Sequence, residues 1–322
     1  YFSLAVRKMK VDITSQHVAL SRKIRTAATA GILGIFMGFQ GVAGAFEGSP
    51  GTMISVDQLR SRNPAEVVIV DTRPAWKFLI SHIPGAVNLN NWQDFTNTEK
   101  SARGILIRDL SFIVGKLRPL GFERNKAIVV YGDPRDPWRT DGRYFWMFEF
   151  YGFSSVAILE GGWTRWTEAG GAIERGPANL PPPSRLAENE LHLNLDRVAD
   201  KNWILERLQS DNLAIVDNRT RSEFDGATPF GSPRGGHIPH AVHIDWRDFF
   251  DEQGILKNSD TLVRLLDTYK INRNKEVVVY CTGGVRSAMA YFVFRYLGYS
   301  VRNYDGSWWD WSYHPELPIE SS

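Results

Sequence analysis

The chain has 322 residues, 43% hydrophobic and 12% aromatic, which is enough apolar mass for the cores of two ordinary domains and too much for a disordered chain. A formal net charge of +2, with acids and bases interspersed, excludes the basic footprint of a nucleic-acid binder and gives no sign of a channel for acidic substrates. With a single cysteine, Cys281, no internal disulfide can form.

The N-terminal region places Lys10, Arg22, Lys23 and Arg25 after Met9, followed by an uncharged stretch over 27–45 that closes on Ala43, Gly44 and Ala45. A basic region, an apolar region and a small-x-small site make an export signal over 1–45, expected to be cleaved before Phe46, with residues 1–8 upstream of the natural start. Arg22-Lys23 is not a twin arginine, so the general secretory route is expected. Five glycines and Gln40 make the stretch a poor stable membrane span, and a retained anchor is the weaker reading. The mature protein is therefore expected to be periplasmic or secreted, where an odd thiol is a liability unless it is used.

From residue 52 the chain states one plan twice. The strand-like run 67–73 (VVIVDTR) matches 213–219 (LAIVDNR), and the turn 82–88 (HIPGAVN) matches 237–243 (HIPHAVH). Asn91-Trp92 corresponds to Asp245-Trp246, 104–106 to 254–256 (GIL in both), 124–126 to 273–275 (RNK in both), and 128–131 (IVVY) to 277–280 (VVVY). Gly161-Gly162-Trp163 corresponds to Gly306-Ser307-Trp308. Between the copies, 176–184 (GPANLPPPS) is a proline-rich linker expected to be stiff and extended rather than packed. The domains are placed at 52–175 and 188–322, with 176–187 joining them. Short apolar strands alternate with helical stretches, such as 199–208 around Trp203, Ile204 and Leu208, which predicts α/β domains with a parallel sheet covered by helices on both faces.

The copies differ at one place. After IVVY the first continues Gly132-Asp133 and PRDPWR, whereas the second places Cys281 directly after VVVY, in the loop CTGGVR before a helical run over 287–297. A cysteine at the carboxyl end of a parallel strand, on the turn into a helix, sits where α/β sheets bind ligands. Gly283 and Gly284 let the turn curl so that its N–H groups form a nest for an anion. The nest, the helix N-terminus and the cation of Arg286 all favour the thiolate. Lowering a thiol pKa by about two units takes roughly 2.7 kcal/mol, a plausible sum for the three. Cys281 is thus read as a nucleophile rather than as a small buried hydrophobe.

These residues resemble the rhodanese sulfurtransferases of the tandem two-domain kind. The resemblance rests on an aspartate ending a strand in each half (Asp71, Asp217), the two HIPGAV-like turns, a cysteine loop in the second half alone, and a closing YDGSW at 304–308. It implies two rhodanese-like domains and a two-step transfer through a Cys281 persulfide. It also implies that the N–H groups of Thr282, Gly283, Gly284, Val285, Arg286 and Ser287 cradle the sulfur, without a metal or organic cofactor. On the same resemblance, the copy lacking the cysteine is expected to be a scaffold closing one wall of the pocket. The implied partners are a small sulfur-containing anion as donor, thiosulfate or 3-mercaptopyruvate, and cyanide, a thiol or another protein as acceptor. No nucleic acid is implied.

The loop lacks the serine of the mercaptopyruvate type (CGSGVT) and the basic pair of the thiosulfate type (CRKGVT). Glu223 stands where two-domain members often carry a substrate-binding arginine. Arg286 and Arg234 are therefore the candidates for holding the donor, and the missing serine favours thiosulfate. Phosphatases and arsenate reductases of related fold surround an oxyanion with a loop one residue longer than the span from Cys281 to Arg286, so that reading ranks second. A non-catalytic interaction module is the other alternative.

Among the remaining features, His237, His240 and His243 lie in a turn entering a strand, where side chains point to alternating faces, and no shared metal is expected. His237 and His82 are expected to bond the strand-end backbone. Arg73 and Arg219 are read as structural ion-pair formers. Trp163, Trp166, Trp308, Trp309 and Trp311 are expected to pack the ends of the copies onto their sheets, and Trp246 to wall the substrate pocket. Asp133, Arg135 and Asp136 are read as solvated.

Overall fold

A computed structural model of the chain describes residues 51–321. The segment expected to be an export signal lies outside the described residues. The first half of the described chain runs β1 (Met53–Ile54), α1 (Val56–Arg60), β2 (Val67–Asp71), α2 (Ala75–Ile80), β3 (Val87–Asn88), α3 (Leu110–Leu117), β4 (Ala127–Tyr131), α4 (Thr140–Phe150), β5 (Val156–Leu159) and α5 (Gly162–Glu168). The second half repeats this with β6 (Val198–Ala199), α6 (Lys201–Arg207), β7 (Leu213–Asp217), α7 (Arg221–Phe224), β8 (Val242–His243), α8 (Ser259–Thr268), β9 (Glu276–Tyr280), α9 (Arg286–Tyr296), β10 (Ser300–Tyr304) and α10 (Ser307–Tyr313).

Each half forms one five-stranded parallel sheet, ordered β1-β5-β4-β2-β3 and β6-β10-β9-β7-β8. The β-branched runs suit strands covered on both faces: every residue of β4 is buried, as are Val277 to Tyr280 in β9. The chain leaves β7 for the edge strand β8 and returns on the other side of β7 as β9, so the order reverses between β7 and β9. Asp217 and Tyr280 are register partners there, and Cys281 follows immediately. The thiol thus lies at the topological switch point, where the carboxyl ends of the strands open a crevice.

The two halves share one apolar core. Phe145, Trp146 and Phe148 of α4 join Met289, Phe292 and Phe294 of α9 in a cluster that also takes in residues of both sheets. Gly142 permits the close approach of these helices, because a Cβ there would lie 2.5 Å from the Met289 α-carbon. Smaller clusters fill the outer layer of each half, one around Phe78, Tyr131 and Trp166, the other around Tyr280, Trp308 and Trp311.

The stretch from 176 to 187 has no helix or strand, but it is not free of packing. Leu186 is buried and its carbonyl accepts from Arg118, while Pro181 lies against Gly121. No helix among the described residues is long and apolar enough to cross a membrane.

Candidate active site

The repeated Asp-x-Arg motifs build the frame. Arg219 pairs with Asp217 at 2.6 Å and donates to the Gly236 carbonyl, and Arg73 pairs with Asp71 at the same distance and donates to the Ser81 carbonyl. Both are structural, as the sequence suggests. His237 Nδ1 donates to Phe224 O and the ring stacks on Phe224; His82 does the same with Phe78. Their partners are carbonyls in or at the end of α7 and α2, rather than the strand-end backbone expected. His243 bonds the Arg219 carbonyl, while His237 and the exposed His240 both approach Glu320, at 3.7 and 4.0 Å, so the three histidines of the turn do not converge on one point.

Cys281 stands on this frame, 1% exposed. Its backbone N–H donates to Ser307 Oγ and its carbonyl accepts from Trp308 N, while the Thr282 carbonyl accepts from Trp309 N. The first turn of α10 therefore satisfies the loop's outward groups. Val285, at the N-cap of α9, makes no side-chain cap, and the Ser287 N–H in the first turn of this eleven-residue helix faces the sulfur.

Burial pushes the thiol pKa up, but the Arg286 charge and the N–H groups of Ser287 and Gly283 reverse this, and the net shift is downward. The Ser287 hydroxyl lies near the sulfur with its proton directed to Asn303 Oδ1 at 2.7 Å, so the backbone N–H is the Ser287 donor that matters. Asn303 is oriented in turn by donating to the Gly284 carbonyl. Gly284 has φ +77°, and a Cβ there would meet the Asp305 carbonyl at 2.5 Å; one at Gly283 would strike the Trp309 ring at 2.2 Å. Both glycines are required by contact.

Arg286 lines the pocket with its charge already paired. Its Nη1 and Nη2 reach Glu223 Oε2 and Oε1 at 2.8 and 2.9 Å, and Nη2 also donates to Thr282 Oγ1, which donates to Glu223 Oε1 at 2.6 Å. Glu223 is thus the residue that holds the loop's arginine. Arg234 lies elsewhere: its guanidinium donates to the carbonyls of Trp311, Ser312, His314 and Leu317, tying down the chain after α10. Trp246 is buried in the shared core against Phe250 and does not line the pocket. These two expectations fail because carbonyls left over at a helix end claim the arginine, and because Trp246 sits on the inward side of its turn.

The pocket above Cys281 has a volume of about 470 Å³ and lies between the copies. Thr282, Gly283, Val285 and Arg286 form its floor with the cysteine, while Thr72, Trp92, Arg103, Asp136 and Trp138 come from the first half and Phe230 and Trp309 from the second. The loop that lacks a cysteine thus reaches across as a wall, with Trp138 edge-on to Phe230 at 5.5 Å. Asp136 faces the pocket rather than open solvent, and burial raises its pKa. Asp133 pairs with Lys77 at 2.7 Å. Trp309 lines the cavity with Arg103 stacked on its ring at 3.7 Å, unlike its buried neighbours Trp308 and Trp311.

Arg143, fully buried in α4, clamps the halves together. Its Nη1 donates to the Gly284 carbonyl at 3.0 Å and its Nη2 to the Gly104 carbonyl at 2.6 Å, while Asp305 accepts from Leu106 N at 2.9 Å. Sequence reasoning passed over Arg103, Arg143, Trp138 and Phe230. No repeat or spacing marks them, and the one available signal was the extra length of the first copy's loop.

The family model for the rhodanese-like domain matches residues 55–169 and 200–314. A thiosulfate sulfurtransferase of Corynebacterium glutamicum is 33% identical over 293 residues, covering 84% of this chain and 91% of that protein. One from Azotobacter vinelandii is 31% identical over 261 residues, covering 79% and 91%. The crystal structure of YnjE superposes with a TM-score of 0.71 at 22% identity, covering 84% of this chain and 68% of that one, and so shares the fold. With two family matches, two parallel sheets and one cysteine loop, the chain belongs to the rhodanese-like domain family, as a tandem-domain sulfurtransferase.

Proposed function

We propose that the protein moves sulfane sulfur from thiosulfate to a nucleophilic acceptor through a persulfide on Cys281. The observation that carries this reading is a lone buried thiol at the floor of an interdomain pocket, faced by the N–H groups of Gly283 and Ser287 and by the charge of Arg286, which favour its thiolate. The thiolate attacks the outer sulfur of thiosulfate, the S–S bond of the donor breaks, and sulfite leaves with the bonding pair. Cyanide or a thiolate then attacks the terminal sulfur of the persulfide and returns the Cys281 thiolate. Both enzyme states are anions that the same N–H groups stabilise.

The relatives named for thiosulfate support this donor, and 3-mercaptopyruvate is the alternative. An oxyanion-directed reaction is less well served, because Arg286 spends its terminal nitrogens on Glu223 and Thr282. The basic and apolar run before Phe46 supports action outside the cytoplasm, and the acceptor there is a thiol, cyanide or a protein.

Intact mass of the protein, before and after thiosulfate and again after cyanide, tests the reading. A gain of one sulfur atom at Cys281 that cyanide removes is expected. Absence of an adduct with thiosulfate and with 3-mercaptopyruvate would overturn it.

A further inference from the structure

We infer that Arg103, supplied by the half without a cysteine, is the cation that binds the anionic head group of the sulfur donor. The inference deepens the sulfur-transfer reading above and rests on it for the identity of the donor, though not for the existence of the anion subsite.

Two guanidinium groups line the pocket among the described residues. Arg286 is held by Glu223 and Thr282, so its charge is compensated and both of its Nη atoms already donate. Arg103 makes no ion pair with any carboxylate among the described residues; its one close partner is the Trp309 ring, with Cζ 3.7 Å from the centroid. Stacking on an indole engages the face of a guanidinium and leaves its in-plane N–H fork open for a sulfonate or carboxylate. A dianion entering the pocket therefore meets one guanidinium without a paired carboxylate, Arg103, which must outweigh the Asp136 carboxylate on the same wall.

The position is fixed from both sides. Trp309 donates its Nε1–H to the Phe230 carbonyl and lies against Gly283, two residues past the cysteine. The residue after Arg103, Gly104, gives its carbonyl to Arg143, and its α-carbon is so close to the loop that a Cβ would lie 2.9 Å from the Gly283 carbonyl. The anchor is thus tied to the sulfur's own loop, which suits a short donor whose charged end and reactive sulfur are adjacent atoms. The site accordingly favours anionic sulfane donors, thiosulfate and organic thiosulfonates, over neutral ones.

The test compares wild type with Arg103→Gln and Arg103→Lys in two assays. One measures the rates at which iodoacetate and iodoacetamide alkylate Cys281, followed by intact mass; the other measures kcat and KM for thiosulfate with cyanide as acceptor. Arg103→Gln is expected to slow the anionic reagent about 10–100-fold relative to the neutral one and to raise the thiosulfate KM by a similar factor, as loss of a charged hydrogen-bonding partner implies. Its iodoacetamide rate and the pH profile of that rate should stay at the wild-type values, and Arg103→Lys should recover part of the loss. An unchanged reagent ratio, or an equal fall for both reagents, would overturn the inference. A changed ratio in a protein that takes no sulfur from thiosulfate would uphold the anion subsite and remove the donor assignment instead.

Discussion

Glu223 and Arg286 form a bidentate, buried ion pair across 63 positions of sequence, with both guanidinium Nη atoms within 2.9 Å of a carboxylate oxygen. The pair turns the loop's only cation from a ligand for substrate into a strut. Arg286 still lends its field to the Cys281 thiolate, yet Glu223 fixes where that field originates.

Glu223→Gln should therefore have two opposed effects. Breaking a buried pair on one side costs on the order of 3 kcal/mol, and a fall of that size in denaturant-derived stability is expected. At the same time Arg286 loses its counter-charge, so the pH midpoint for alkylation of Cys281 should move further down. A variant as stable as wild type, with an unmoved midpoint, would show that the pair does not organise the loop.

The same residue sets an acid limit. Burial pushes the Glu223 carboxyl up, but the Arg286 hydrogen bonds and charge, with the hydroxyls of Thr282 and Thr220, bring it down to about 2 from 4.5. A carboxyl depressed in the folded state contributes stability that is fully present above its unfolded pKa and lost as pH falls through its folded one. The stability difference between wild type and Glu223→Gln should accordingly be constant above about pH 4.5 and shrink towards pH 2. Urea midpoints measured across that window check it, and a difference independent of pH would contradict it.

Cys281→Ser should abolish transfer and leave the fold intact, since the side chain is replaced by one of similar size. In the wild type, the midpoint of iodoacetamide alkylation should lie below that of an ordinary thiol. Ser287→Ala should leave this midpoint nearly unmoved, because the hydroxyl proton serves Asn303 and the backbone N–H remains. A large upward shift in that variant would assign the stabilisation to the hydroxyl.

The parts of this molecule that were legible in sequence are those that depend on neighbours along the chain. Strand β9, the two-glycine turn and α9 could be read from a β-branched run, a break and a helical run, and the Asp71–Arg73 and Asp217–Arg219 pairs from residues two apart. The pocket walls could not be read that way. Arg103, Trp138 and Trp309 meet only because α4 packs on α9 and brings the copies face to face, and nothing local to 103 announces a neighbour at 309. Arg234 misled for the converse reason: a basic residue just before the repeated turn at His237 suggested a ligand site, while its actual partners are carbonyls at the end of a helix some eighty positions away.

Gly284→Ala should be more damaging than the small change in volume suggests. The residue has φ +77°, and the added Cβ would fall 2.7 Å from Arg143 Nη1 as well as against the Asp305 backbone. Loss of both activity and stability is expected. In Gly283→Ala the obstruction is the Trp309 ring, so the pocket wall should move: thiosulfate KM should rise, and tryptophan fluorescence should change, with less loss of stability. Equal stability losses in the two variants would deny this distinction.

Arg143 shows that the half without a cysteine does more than close a wall. Burial lowers its pKa, opposed by the Asp305 and Cys281 charges, which marks it as a second positive charge acting on the thiolate. Its two Nη donors hold the carbonyls of Gly104 and Gly284, one from each half, and its Nε has no hydrogen-bond partner among the described residues. Arg143→Met keeps much of the volume, removes the charge and frees both carbonyls. The alkylation midpoint of Cys281 should then rise and kcat should fall, because the thiolate loses a cation and the loop loses its tether to the first half. Arg143→Lys should restore most of the midpoint, which depends on charge, and little of kcat, which depends on bridging two carbonyls with one planar group. If the lysine variant rescued both equally, the residue would act through its charge alone; if it rescued neither, the role would be packing between α4 and α9.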